Sequence, residues 1–193
     1  MYISSLSILA IATAFASTVN AQTLCNGYAD LCDKPYDTVT YLLTHNAYGY
    51  VANPAANQAC PVNTQLTDGV RGLKLSAIKA SNATTAGSAS DSIQLCHTSC
   101  SILNAGAAVD TLKTIADWVK SNPNEVVTIM WNNLGGFTTD AFAAAYNASG
   151  LTEYAYTQAY GNFTWPTLAE MISSGKRVVN FLDEGSNTNA LPW

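Results

Sequence analysis

Short apolar runs, punctuated by polar, glycine and proline residues, mark the chain from Thr38 onward. Thr38–Leu43 is β-branched and aromatic, Val70–Ala77 is mostly apolar, and Ser92–Leu95 is brief. Val126–Trp131 and Val178–Leu182 are apolar runs interrupted only by Thr128 and Asn180 rather than alternating, the pattern of strands covered on both faces. Between the later runs the period changes. In Gly106–Ser121 the residues Val109, Leu112, Ile115, Ala116 and Val119 share one helical face, and Asp110, Lys113, Asp117 and Lys120 line the other. Pro123 stops that helix. An alanine-rich helix is predicted over Thr139–Asn147 with Gly150 beyond it, and another over Thr167–Ser174, closed by Gly175. Ala80–Ser90 and Asn53–Pro61 read as loops. Strands alternating with helices predict an α/β fold with parallel strands. Five such strands fit a doubly wound sheet or part of a barrel, and periodicity does not choose between them.

The first residues follow a different pattern. Met1–Ala21 carries no charged side chain, and Leu6–Ala16 is apolar except for Ser7 and Thr13. Val19-Asn20-Ala21 supplies a cleavage site, which predicts a signal peptide over residues 1–21 and one domain over residues 22–193. The apolar stretch is well short of the ~20 residues that cross a bilayer, so no transmembrane anchor is expected. Charged residues make up 11% of the chain, against a typical ~25%, and the net charge is −5. So few cations exclude nucleic acid as a partner, and docking on anionic lipid by charge alone.

A secreted chain keeps its cysteines oxidised. There are five, and their spacing predicts Cys25–Cys32 and Cys96–Cys100 bridges with Cys60 left over. Zinc is the competing reading of such clusters, but the Cys96/Cys100 spacing has no matching pair and the chain has only two histidines. Sequons at Asn82, Asn147 and Asn162 predict glycosylated surface loops.

The two histidines are the candidate chemistry. His45 and His97 each stand just after a predicted strand, and ligands gather at strand carboxyl ends in parallel α/β folds. Two imidazoles there can act as base and acid near neutral pH. From spacing alone, a pair of hydrogen-bonded loop residues is the simpler account, because two histidines are a weak signal.

The stretch from Cys25 to Asp183 resembles the secreted fungal branch of the phosphatidylinositol-specific phospholipase C-like phosphodiesterases. The resemblance is carried by Cys25-Asn26-Gly27 with Leu31-Cys32, Thr44-His45-Asn46-Ala47-Tyr48 and Gln65-Leu66-Thr67-Asp68-Gly69-Val70-Arg71. It continues through Leu95-Cys96-His97-Thr98-Ser99-Cys100, Asn122-Pro123-Asn124-Glu125-Val126-Val127-Thr128 and Val178-Val179-Asn180-Phe181-Leu182-Asp183. It implies a TIM-type β/α barrel, of which the five strands would be the first, truncated soon after the fifth. It also implies a phosphoric diester hydrolase of phospholipase C type with His45 as general base and His97 as general acid. The substrate would be a phospholipid headgroup or another small phosphodiester, and the product a cyclic phosphate.

The departures refine that expectation. Asn46 matches the asparagine that binds calcium in the animal enzymes, but Lys74, Ser76 and Asn132 stand where their carboxylates would be. A hard dication wants several oxygen ligands, so neither metal nor other cofactor is expected. Ser76 also replaces the arginine of the bacterial enzymes. Asn46, Arg71 and Lys74 are the candidate substrate-binding residues, with Lys74 the preferred source of positive charge and Arg71, which belongs to the general family motif, open to a structural role instead. The rival expectation is a catalytically silent, glycosylated barrel protein that binds a lipid headgroup, glycan or host surface.

Overall fold

A computed structural model describes residues 23–80, 93–159 and 161–185. The predicted signal peptide, the Asn82 sequon and nearly all of the Ala80–Ser90 loop lie outside these residues.

Six strands form one open, mixed sheet. Its parallel part is β1 (Leu43–Thr44), β2 (Gly72–Lys79), β5 (Val127–Asn132) and β6 (Val178–Leu182). The register sets Leu43 against Gly72, Lys74 against Met130, Ser76 against Asn132, and Met130 against Phe181. A β-carbon on Gly72 would lie 2.8 Å from that of Leu43, so only glycine lets β1 sit this close.

Two helices cover one face. In α2 (Ala108–Ser121) the buried positions are Ala108, Leu112, Ile115, Ala116 and Val119, the predicted stripe with Ala108 in place of the half-buried Val109. They join Leu73, Leu75, Ile129 and Trp131 of the sheet, and Phe142 and Tyr146 of α3 (Thr139–Ser149), in the main core. Burying such a stripe, at ~25 cal/mol per Å² of apolar surface, holds helices this short in place. α4 (Leu168–Ser174) begins with a reciprocal capping box between Thr167 and Glu170 and ends at Gly175, whose φ of 73° suits glycine. A short helix, α1 (Val62–Thr67), was not expected.

Near the amino ends of the parallel strands, Cys25, Tyr36, Val126, Leu168, Met171 and Val179 build a second cluster. The Cys25–Cys32 disulfide staples this region, with Cα atoms 5.1 Å apart. Tyr36 stacks within 5.1 Å of Tyr41 and shares a 2.6 Å hydrogen bond with Thr128.

Two expectations are corrected. Thr38–Leu43 is not a strand: only Leu43–Thr44 pairs with β2, because Val39 and Tyr41 are drawn into the aromatic cluster. Nor are all the strands parallel. β3 (Ile93–Cys96) runs antiparallel to β2, and β4 (Asn104–Ala107) runs antiparallel to β3. The register, Lys79 against Ile93 and Ala77 against Leu95, turns β3 back along β2, where a parallel return would have needed a crossover. No strand is predicted over β4, whose Gly106 opens the predicted helix, because Asn104-Ala105-Gly106-Ala107 has neither β-branching nor alternation.

Candidate functional site

His45, Asn46, Lys74, Ser76, His97 and Asn132 meet in one cleft of about 390 Å³ at the carboxyl end of the parallel strands. Each arrives by its own element. His45 and Asn46 follow β1, Lys74 and Ser76 alternate on one face of β2, and Asn132 ends β5 beside Ser76. His97 comes by the antiparallel route. Because Lys79 pairs with Ile93 and Ala77 with Leu95, β3 runs back along β2, bringing Cys96 to the level of Ser76 and His97 just beyond it. Thr98 and Leu134 complete the lining.

The His97 ring is held at 3.1 Å from Nδ1 to the carbonyl oxygen of Ala55. A carbonyl only accepts, so Nδ1 carries a proton and Nε2 is the nitrogen left for acid–base work. The Cys96–Cys100 disulfide, Cα to Cα 4.9 Å, closes a tight turn around it, with Thr98 in the left-handed region at φ 63°. The His97 amide donates to the Leu103 carbonyl at 3.1 Å, bracing the turn from below.

His45 is exposed, and its carbonyl accepts a 2.6 Å hydrogen bond from the side-chain amide of Gln58. Its imidazole pKa is held below the ordinary value by partial burial first, and then by the charges of Lys74 and His97. It therefore stays neutral, as a base must, to lower pH than a free histidine does. The Lys74 ammonium makes no hydrogen bond or ion pair among the described residues, which leaves it free in the same cleft as the imidazole.

Asn46 is 2% exposed and adopts φ 49°, a left-handed turn that asparagine tolerates. Its Nδ2 donates to Asn57 at 3.0 Å, while its Oδ1 accepts from the Ser76 hydroxyl at 3.4 Å and lies 3.2 Å from the Tyr48 hydroxyl oxygen. Asn132 donates to Asp183, whose other carboxylate oxygen accepts the Asn133 amide at 2.8 Å. This donor set does not fit calcium. The Asn46 oxygen already accepts from the Ser76 hydroxyl and has the Tyr48 hydroxyl packed against it, and Lys74 brings a positive charge into the same cleft. Among the described residues, no group of three His, Cys, Asp or Glu is arranged to hold a metal.

Arg71 is the sequence-predicted site residue that the structure places elsewhere. It precedes β2, at the opposite end from the cleft. Its Nη2 lies 2.7 Å from Glu125, its Nη1 donates to the carbonyls of Leu66 and Val70, and its guanidinium stacks 4.9 Å from the Trp118 ring. Every face of that fork is occupied by protein, so Arg71 is a structural residue and not a ligand for phosphate. Conversely, Tyr48, Asn57 and Gln58 brace the site and were given no role from sequence. Asn57 and Gln58 lie in a stretch legible only as loop, and Tyr48 had one signal, its place in the His45 motif. Of the sequons, Asn162 is exposed in a loop, whereas Asn147 sits in the last turn of α3 with Ser149 buried behind it.

A family model described as PI-PLC X 1 matches residues 31–193. A secreted protein of Arthroderma benhamiae is 36% identical over 173 residues, covering 88% of this chain and 37% of that protein. A PI-PLC X domain-containing protein 1 of the same organism is 34% identical over 175 residues, covering 88% and 54%. The chain thus spans about half or less of the length of these relatives. Among solved structures, the phosphatidylinositol-specific phospholipase C of Listeria monocytogenes superposes with a TM-score of 0.58 at 18% identity, covering 80% of this chain and 54% of that one. The S. aureus enzyme gives 0.61, also at 18% identity, with 84% and 54% covered. These likenesses establish the fold, and the sequence match establishes the family: the chain belongs to the PI-PLC X domain family.

Proposed function

We propose that this protein is a secreted phosphoric diester hydrolase of phospholipase C type, acting on a phosphoinositide-like lipid headgroup or a related small phosphodiester. The observation that carries the reading is the convergence of His45, His97 and the unpaired Lys74 on one cleft. Membership of the PI-PLC X domain family supports the reaction class, and a relative named as a secreted protein supports the location. Among the described residues no helix is long and apolar enough to cross a membrane.

In this mechanism neutral His45 takes the proton from the hydroxyl adjacent to the phosphodiester, and that oxygen attacks phosphorus. The bond from phosphorus to the alcohol leaving group breaks, and imidazolium His97 gives the departing oxygen its proton. A cyclic phosphate and a free alcohol result. Lys74 stabilises the charge that builds on the non-bridging oxygens, and Asn46 orients the hydroxyl or the phosphate. No cofactor is required. Asn82, Asn147 and Asn162 are proposed glycan acceptors, with Asn162 exposed in a loop.

A second reading rests on Ser76 and Asn132, which stand where related enzymes carry charged groups. On it the cleft binds a headgroup or glycan without turnover. Assaying the secreted protein on phosphatidylinositol and simple phosphodiesters, beside His45→Ala, separates the two. Turnover abolished by the substitution supports the hydrolase, and equal inertness of both proteins on every substrate leaves the binding protein.

A further inference from the structure

β1 and β3 each pair with β2 but not with each other, so no backbone ladder directly sets the separation of the two imidazoles, which stand beyond the paired residues. That separation depends on contacts between the loop after His45 and the segment around His97. Three hydrogen bonds make the crossing. Asn53 donates to the Ile102 carbonyl at 2.8 Å in an exposed setting, and the Ala55 carbonyl meets His97 Nδ1 at 3.1 Å in a partly buried one. The third is buried: the Tyr48 hydroxyl donates to the Cys96 carbonyl at 2.7 Å. A buried bond faces no competition from water and is the stiffest of the three. Tyr48 is itself 5% exposed and its hydroxyl also lies 3.2 Å from Asn46 Oδ1. It therefore touches the residue that follows His45 and the residue that precedes His97.

We propose that Tyr48 is a positioning residue whose hydroxyl locks the His45 and His97 loops at the separation that proton transfer requires. The assignment rests on the two-histidine reading above but can fail independently of it. Burial pushes the phenol's pKa above its ordinary value, so the donor persists through the alkaline range. The charged groups facing His45 are Lys74 from β2 and His97 from beyond β3, while Asp183, beyond β6, is engaged by Asn132 and Asn133.

The test is Tyr48→Phe, which keeps the ring and removes the hydroxyl. On a phosphatidylinositol assay kcat should fall about tenfold or more while KM stays within about twofold, because geometry is lost and not affinity. The acid limb of the pH profile should move up toward an ordinary imidazole value as the charge of His97 recedes from His45. The same shift should appear in an NMR titration of the two imidazoles, a readout that needs no turnover. Unchanged kcat in Tyr48→Phe alongside an inactive His45→Ala overturns the role of Tyr48 and leaves the hydrolase standing. If the protein is inert on all substrates, imidazole titration curves that superimpose in wild type and variant overturn it alone. Should Tyr48→Phe not fold, the wild-type hydroxyl proton decides: slow exchange with solvent and NOEs to residues 96–97 are expected, and rapid exchange sinks the proposal.

Discussion

The two ends of the parallel sheet use positive charge in opposite ways. At the amino end Arg71 and Arg177 are consumed by the fold. Arg71 is clamped by Glu125, two carbonyls and a tryptophan face, and Arg177, 4% exposed, donates to the carbonyls of Val119, Asn122 and Glu125. At the carboxyl end Lys74 makes no such contact among the described residues, and shares its cleft with two histidines. A guanidinium satisfied on every edge fixes loops, whereas an unpaired ammonium beside titratable rings is available to a ligand. The difference teaches that a cation's role follows from what its donors already hold, and three positions along one chain separate the two cases.

The largest effects expected at the carboxyl end are those of the histidines. His45→Ala and His97→Ala should each lower turnover ~10²-fold or more, with circular dichroism and thermal midpoint close to wild type. A variant that loses activity only as far as it loses structure breaks the contrast between a working end and a supporting end.

How much of this was legible in the sequence follows the same division. Helix α2 was readable because its apolar stripe has one period and a proline stop. β5 and β6 were readable because continuous apolar runs have few other homes. β4 was not, since its four residues owe their strand geometry to pairing with β3 and not to their own propensity. The direction of β3 was also hidden, because local pattern says strand but never which way its partner runs. At the site, the histidines and Lys74 were visible as motif and departure. For Arg71 the sequence admits both a structural and a phosphate-binding role, because its partner Glu125 lies 54 residues away and no spacing announces the pair.

A direct exchange sharpens the comparison. Lys74→Met should reduce turnover ~10-fold to ~100-fold with little change in stability, since the ammonium has no protein partner to lose. Arg71→Met should do the reverse. Leaving a half-buried Glu125 carboxylate and two carbonyls unpaired should cost roughly 2–4 kcal/mol, read as a lower denaturation midpoint, with turnover per folded molecule preserved. Equal losses of activity in both variants would sink the distinction.

The pH profile offers a smaller, signed effect. The general base must be neutral, and the His45 pKa lies below the ordinary imidazole value. The acid limb of kcat/KM should therefore fall at lower pH than for an unperturbed histidine. Removing the charge of Lys74 should carry that limb upward, toward the ordinary value. A limb that stays put in Lys74→Met shows that the lysine does not act on His45.

The smallest expected effect is that of metal removal, and it tests whether Lys74 is the positive charge of the carboxyl end. Calcium takes six to eight oxygen ligands, usually with carboxylates among them. Here the oxygens on offer are the Asn46 amide, held by Tyr48 and Ser76, the Ser76 hydroxyl and the Asn132 amide, which is tied to Asp183 through its nitrogen. A dication placed among them would also face the ammonium of Lys74 in the same cleft. Activity measured with excess EDTA should thus match that in millimolar calcium within about twofold, and added calcium should leave the thermal midpoint unchanged, since a ligand that does not bind the native state cannot stabilise it. If chelation abolishes turnover and calcium restores it, the charge at the carboxyl end is a metal's, Lys74 becomes a bystander, and the two ends of the sheet no longer differ in the way described.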